Sequence, residues 1–128
     1  MPSRERVRAF ISAVERGAYV EAIEDFYHPG ASMQENGQAP RVGRDTLVAH
    51  ERKVLAGLKV MRTRRVETLL VDGDRVVINW VFEMTGPDGA TRVMDELALQ
   101  TWNGDRIAAE RFYYDPAQIR PSPDRGDA

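Results

Sequence analysis

Glu35 stands in a setting that suits proton chemistry. In Ala31-Ser32-Met33-Gln34-Glu35, the alternation of an extended segment puts Ala31, Met33 and Glu35 on one side. Two apolar residues mark that side as inward. A carboxyl facing an apolar cavity has a raised pKa and exchanges a proton near neutrality. The alternative is a strand end, with Glu35 pointing to solvent. His50 borders the helical stripe Leu47, Val48, Glu51 and Val54. A neutral imidazole at that edge would orient Glu35 or shuttle a proton, unless it is a boundary histidine bonded to backbone or water. Glu35 and His50 are thus the candidate catalytic pair. A metal is not expected: the chain has 2 His and no Cys, and no pair at HxxxH-type spacing.

More polar candidates lie near the C-terminal end. A two-residue turn at Asn103-Gly104 groups Trp102, Gln100 and Ala98 with Ile107 and Ala109 on one face. A three-residue turn groups them instead with Ala108, Glu110, Phe112 and Tyr114. Periodicity alone leaves Glu110 on either the pocket face or the solvent face.

The elements that must position these residues follow from pattern. Val7, Phe10, Ile11 and Val14 form one helical stripe, with Ser3 to cap it and Gly17 to end it. Tyr19, Ala22, Ile23, Phe26 and Tyr27 form a second, stopped by His28-Pro29-Gly30. A short extended piece over 31–35 follows, then a third helix over about 44–56. Asp72-Gly73, Asp88-Gly89 and Asn103-Gly104 are hairpin signals. They separate four strand-like stretches, about 60–71, 75–85, 91–102 and 106–114, which predict an antiparallel meander. Helices segregated beside such a sheet make the α+β class. In the stretch 75–85, Val76, Ile78, Trp80, Phe82 and Met84 alternate onto the core face. Val77 and Val81 fall on the opposite face, which then needs a cover, and a homodimer through that outer face is the simplest one.

At 128 residues the chain is one domain, expected over 1–117, with a polar, Pro/Gly-rich tail over 118–128 expected to be frayed. Hydrophobic residues at 42% beside 30% charged ones exclude a disordered chain. No apolar run is long enough to span a membrane. A net charge of −2 argues against a nucleic-acid partner. Arg62, Arg64 and Arg65, the local basic cluster, read as a solvated strand face, with a phosphate or anionic-ligand site as the alternative. The N-terminus lacks the apolar core of a signal peptide, so the cytoplasm is the expected compartment.

Phe26-Tyr27-His28-Pro29-Gly30-Ala31, Pro40-Arg41-Val42-Gly43 and Trp102-Asn103-Gly104-Asp105-Arg106-Ile107, with Arg111-Phe112-Tyr113-Tyr114 beyond, carry a resemblance over about 4–116. In order and spacing they resemble the nuclear transport factor 2-like (cystatin-like α+β cone) superfamily, and within it the SnoaL-like domains. The resemblance implies three N-terminal helices on a curved antiparallel sheet, a conical pocket between them, and a dimer through the outer sheet face. It favours the three-residue turn, which makes Gln100, Glu110 and Tyr114 line the pocket. Glu35 matches the place of the ketosteroid isomerases' carboxylate base, with Glu for Asp. Aligned on Pro40-Arg41-Val42-Gly43, His50 matches a pocket-facing aromatic position. The chain departs from those isomerases where they hold the enolate: Phe10 and Ala98 replace a Tyr and an acid, and neither donates a hydrogen bond.

The expected function is a domain that binds a small apolar organic ligand in a cavity lined by Phe10, Met33, Ile78, Trp80, Phe82 and Trp102. As an enzyme it would be an isomerase, cyclase or dehydratase using Glu35 as base. No cofactor is expected, since no GxGxxG or P-loop occurs. The alternatives are a non-catalytic ligand-binding domain and a protein-interaction module of the same fold.

Overall fold

The computed structural model describes residues 1–119, so the expected tail lies outside the described residues apart from Gln118 and Ile119. The order is α1 (Arg4–Glu15), α2 (Tyr19–Phe26), β1 (Tyr27–Glu35), β2 (Arg41–Val42), α3 (Arg44–Ala56), β3 (Val60–Thr63), β4 (Leu69–Asp72), β5 (Arg75–Thr85), β6 (Thr91–Asn103) and β7 (Arg106–Tyr113), with a short 3-10 turn over Pro116–Gln118. Three helices beside a mostly antiparallel sheet make an α+β cone. The Ser3 hydroxyl caps α1 by accepting the Arg6 amide.

The sheet runs β2-β1-β7-β6-β5-β3, and β4 also pairs with β5. The expected meander is present in β4 to β7. Three features differ from expectation. The extended piece begins at Tyr27 rather than Ala31, and β1 pairs with β7 in parallel. That pairing is irregular between Tyr27 and Ser32, where Pro29 supplies no amide hydrogen. The stretch 60–71 divides into β3 and β4 on the same edge of β5, because residues 64–68 stand opposite 79–81 and bow outward. Glu15 holds the bow by accepting the Val66 amide at 2.7 Å.

The third difference settles the last hairpin. Asn103 pairs with Arg106 around Gly104-Asp105, where Gly104 has φ +62°. Trp102 therefore pairs with Ile107, yet Thr101 pairs with Ala109 and Gln100 with Glu110. Ala108 is an extra residue in β7, a β-bulge. Each anticipated register thus describes one side of the bulge.

The core gathers on Phe10, whose ring meets Phe26, Tyr27, Trp80 and Trp102 edge-on at centroid distances of 5.5 to 6.2 Å. Val76, Ile78, Trp80 and Phe82 are buried on the inner face of β5, as their alternation requires. The outer face keeps Val77 and Val81 half-buried and leaves Leu70 and Leu97 63% and 46% exposed. Past the end of β7, the Gln118 side chain takes over as pairing partner of β6: its Oε1 accepts the Asp95 amide and its Nε2 donates to the Asp95 carbonyl.

Gly43 joins β2 to α3 at φ +100°, a conformation that side-chain-bearing residues rarely adopt, although an added Cβ would meet nothing closer than Thr46 Oγ1 at 3.7 Å. Gly43→Ala is therefore expected to cost about 1–3 kcal/mol through backbone strain rather than collision. Thermal melts should show a fall of about 5 °C or more. Gly37→Ala, at a position with open space around it, should leave the midpoint unchanged.

Candidate functional site

Between the inner sheet face and the helices lies a cavity of about 150 Å³. Phe10, Tyr27, Trp80 and Phe82 line it and are buried, forming its floor. The half-buried Arg41, His50, Glu51 and Met84 mark its open side. Besides Arg41 and the phenols of Tyr19 and Tyr27, five ionisable groups face it: Glu35, His50, Glu51, Glu96 and Glu110.

Glu35 ends β1 and is clamped. Its Oε2 accepts from Arg41 Nη2 at 2.6 Å, and its Oε1 accepts from the Tyr114 hydroxyl at 2.7 Å. The following residue explains how Tyr114 comes so close: Asn36 Oδ1 accepts the Tyr114 amide at 3.0 Å. Burial pushes the Glu35 pKa up, but the Tyr114 hydrogen bond and the Arg41 guanidinium outweigh it and hold the carboxyl below its ordinary value. This corrects the expectation of a raised pKa. Glu35 is an ionised, oriented carboxylate at neutral pH.

His50, on α3, has its pKa lowered by burial and by the charge of Arg41, so its imidazole is neutral at pH 7. Glu51, one residue on, is raised, by burial first and by the charge of Glu35 second.

Glu110 on β7 is 3% exposed and fully partnered. The Tyr27 hydroxyl donates to its Oε1 and Gln100 Nε2 donates to its Oε2. Gln100 Oε1 accepts in turn from Trp102 Nε1 at 2.9 Å. Burial pushes Glu110 up to about 7 against the two hydrogen bonds that lower it. Glu96 on β6, opposite Trp80, differs: the residue is 5% exposed, and its carboxyl makes no hydrogen bond among the described residues while its oxygens keep some access to the cavity. Burial, then the charges of Glu110, Glu35 and Glu51, push it up to about 8. At pH 7 the raised value favours the neutral carboxylic acid at this position in the cavity.

Of the residues singled out from sequence, Glu35, His50, Phe10, Met33, Trp80, Phe82 and Glu110 line the cavity. Gln100, Trp102 and Ile78 do not: they are buried behind it, and the amide of Gln100 is used up between Glu110 and Trp102. Tyr114 is not a lining residue either, and acts through its bond to Glu35. Glu96 and Glu51 were not anticipated. The alternation that groups Trp102, Gln100 and Ala98 reaches Glu96 two residues further on, and Glu51 belongs to the inward stripe of α3. Among the described residues no group of three His, Cys, Asp or Glu is placed to hold a metal ion, and no helix is long and apolar enough to cross a membrane.

Residues 7–110 match the family model of the SnoaL-like domain. No curated protein matches the sequence. Among solved structures, the fold is similar to an NTF2-like protein of unknown function from Burkholderia pseudomallei K96243, at 16% identity over 90% of this chain and 92% of that one, with a TM-score of 0.77. It is similar to TerC co-crystallised with polyporic acid, at 20% identity over 88% and 91%, TM-score 0.75. It is also similar to a candidate SnoaL-like polyketide cyclase from Jannaschia sp. CCS1, at 15% identity over 94% and 96%, TM-score 0.75. Identities this low carry the fold and no activity.

The two buried acids set a pH dependence. A carboxyl whose folded pKa lies above its unfolded value favours the fold at low pH, and that contribution is lost as pH rises through the folded value. Stability is therefore expected to decline from the ordinary carboxyl range up to about 8, the folded value of Glu96. Denaturant titrations across that range should show Glu96→Gln flattening the decline. The gain over wild type should be largest near pH 8 and should shrink at acid pH. Curves that run parallel would mean a solvated Glu96.

Proposed function

The chain belongs to the SnoaL-like domain family of the NTF2-like superfamily, and from that premise we propose that its cavity binds a small, largely apolar organic molecule and moves a proton on it without a cofactor. One observation carries this reading: two carboxyls in the same cavity have opposite surroundings, Glu35 held by Arg41 and Tyr114 and Glu96 buried with no hydrogen bond to its carboxyl among the described residues, which lowers the pKa of the first and raises that of the second. Such divergence assigns a base and an acid.

The proposed chemistry is proton abstraction next to a carbonyl. Glu35 accepts the proton from carbon, and the negative charge moves to the carbonyl oxygen. The neutral carboxyl of Glu96 donates a hydrogen bond to that oxygen and makes the carbon acid stronger. This compensates for a base whose affinity for protons is lowered by Arg41. The proton then returns to another carbon, directly or through the neutral His50. Tyr114 and Arg41 position Glu35. The donor missing at Ala98 is supplied by Glu96, two residues away on the same face of β6. A substrate of about one ring suits the cavity, since a dry cavity of similar volume holds a benzene-sized molecule. TerC, with a similar fold, was co-crystallised with polyporic acid, which supports an organic ligand here.

A second reading has its own support. The Arg41–Glu35 ion pair at 2.6 Å makes Glu35 a weak base, which suits a binding domain without turnover. Isomerisation of a β,γ-unsaturated cyclic ketone, followed by ultraviolet absorbance and by deuterium uptake from deuterium oxide, separates the two. Acceleration over buffer, cut about 10²-fold by Glu35→Gln and by Glu96→Gln, is expected. Equal rates in wild type and variants would refute these roles, and no acceleration with intact binding would leave the binding domain.

We also propose that Leu70, Val77, Val81 and Leu97 on the outer sheet face are covered by a second copy of the chain. Light scattering at tens of micromolar should return a dimer mass, and Leu97→Glu should return a monomer.

A further inference from the structure

The chain has 5 Met, and the four after Met1 (Met33, Met61, Met84 and Met94) all line the cavity described above. Three of them adjoin. Met61 on β3 is the cross-strand partner of Met84 on β5, and Met94 on β6 is the partner of Phe82, two residues from Met84 on the same face. All four are half-buried, whereas the aromatic floor is buried and interlocked by edge-on ring contacts and by the stacked pair Trp80 and Phe82. The cavity therefore has two regions of unlike stiffness. Aromatic rings packed edge to edge have no alternative rotamer without opening the core. An unbranched thioether with three rotatable bonds moves at little cost and wraps apolar shapes of different length.

We propose that Met61, Met84 and Met94 form a deformable lip that sets substrate specificity, so that the site takes molecules with a polar ring at one end and an apolar tail of variable length at the other. The inference rests on the reading that Glu96 meets the polar head. It adds that the resting volume of about 150 Å³ is a lower limit, enlarged by rotamer changes at the lip. The head sits on the floor with Trp80 and Phe82, beside the carboxyl of Glu96, the cross-strand neighbour of Trp80. The tail runs out along β3, β5 and β6.

The probes are phenol and para-butylphenol, which share a head and differ in the tail. Calorimetric titration of the wild-type protein should give para-butylphenol an affinity at least about tenfold above phenol, since each buried methylene adds to binding. In Met61→Ile/Met84→Ile/Met94→Ile, where β-branched side chains keep the bulk and stiffen the wall, the ratio of the two affinities should fall towards one. The ε-methyl signals of Met61, Met84 and Met94 in methyl-labelled wild type should shift more with para-butylphenol than with phenol, which keeps the test sharp should the triple variant fail to fold. An unchanged ratio in the folded variant, or methyl shifts no larger for the longer probe, overturns the lip. Phenol binding that is insensitive to Glu96→Gln overturns the head-group reading instead, and no binding of either probe overturns both.

Discussion

The carboxyl of Glu110 is the point on which the inner face of the sheet depends. It lies on β7, the strand that joins the parallel pairing with β1 to the antiparallel meander. Tyr27, at the start of β1, donates to one of its oxygens, and Gln100 on β6 donates to the other. Trp102 extends the chain of bonds into the core. A carboxyl removed from water costs several kcal/mol unless its oxygens are satisfied, and here both are. A polar network of that kind fixes register, because a slip by one residue would leave Glu110, Gln100 and the indole N–H without partners. The same bonds hold Tyr27 against Phe10, so the aromatic floor of the cavity takes its place from a buried acid.

Desolvation then acts differently on each carboxyl, because each has different neighbours. Glu110 has two donors, and burial still wins, pushing it up to about 7. Glu96 has none among the described residues and goes further, to about 8. Glu35, nearer the open side, meets a guanidinium and a phenol and is held low. The pattern separates a reservoir of protons inside the cavity from a fixed negative charge at its edge. Alternation turns Glu35 and Glu96 inward, the bulge in β7 turns Glu110 inward, and what differs among the three is the partner that the adjoining strand or turn delivers.

Much of this was legible in the sequence, for reasons that can be named. The three helices follow from stripes of 3.6 period, and the hairpins from Asp-Gly and Asn-Gly pairs, because local chemistry alone decides both. The parallel partner of β1 was not legible, since no local signal says which distant strand a segment will join. Glu35 could be placed on an inward face by Ala31 and Met33, but its pKa could not be read. The sign depends on Tyr114, which lies far along the chain and is brought to Glu35 by the side chain of Asn36. Glu96 was legible in principle, by carrying the alternation of β6 past Ala98, although a glutamate in a long strand is usually solvated and the pattern alone does not outweigh that. Splitting 60–71 into β3 and β4 required the bond between Glu15 and Val66, a contact between elements far apart in sequence.

The bulge at Ala108 connects these levels. Near the turn, Trp102 and Ile107 are paired and both belong to the core; further along, Gln100 and Glu110 are paired and hydrogen-bonded, and of the two Glu110 faces the cavity. In a strand without a bulge, inward positions on β7 would continue from Ile107 to Ala109 and Arg111. Glu110 would turn to the outer face, and a guanidinium would occupy the place where the cavity needs an acid. One extra residue thus lets the tight Gly104 turn and the inward Glu110 coexist in one hairpin. The turn obeys the geometry that local sequence demands, the carboxyl obeys the requirement of the site, and the mismatch between them is absorbed where a small side chain makes it inexpensive.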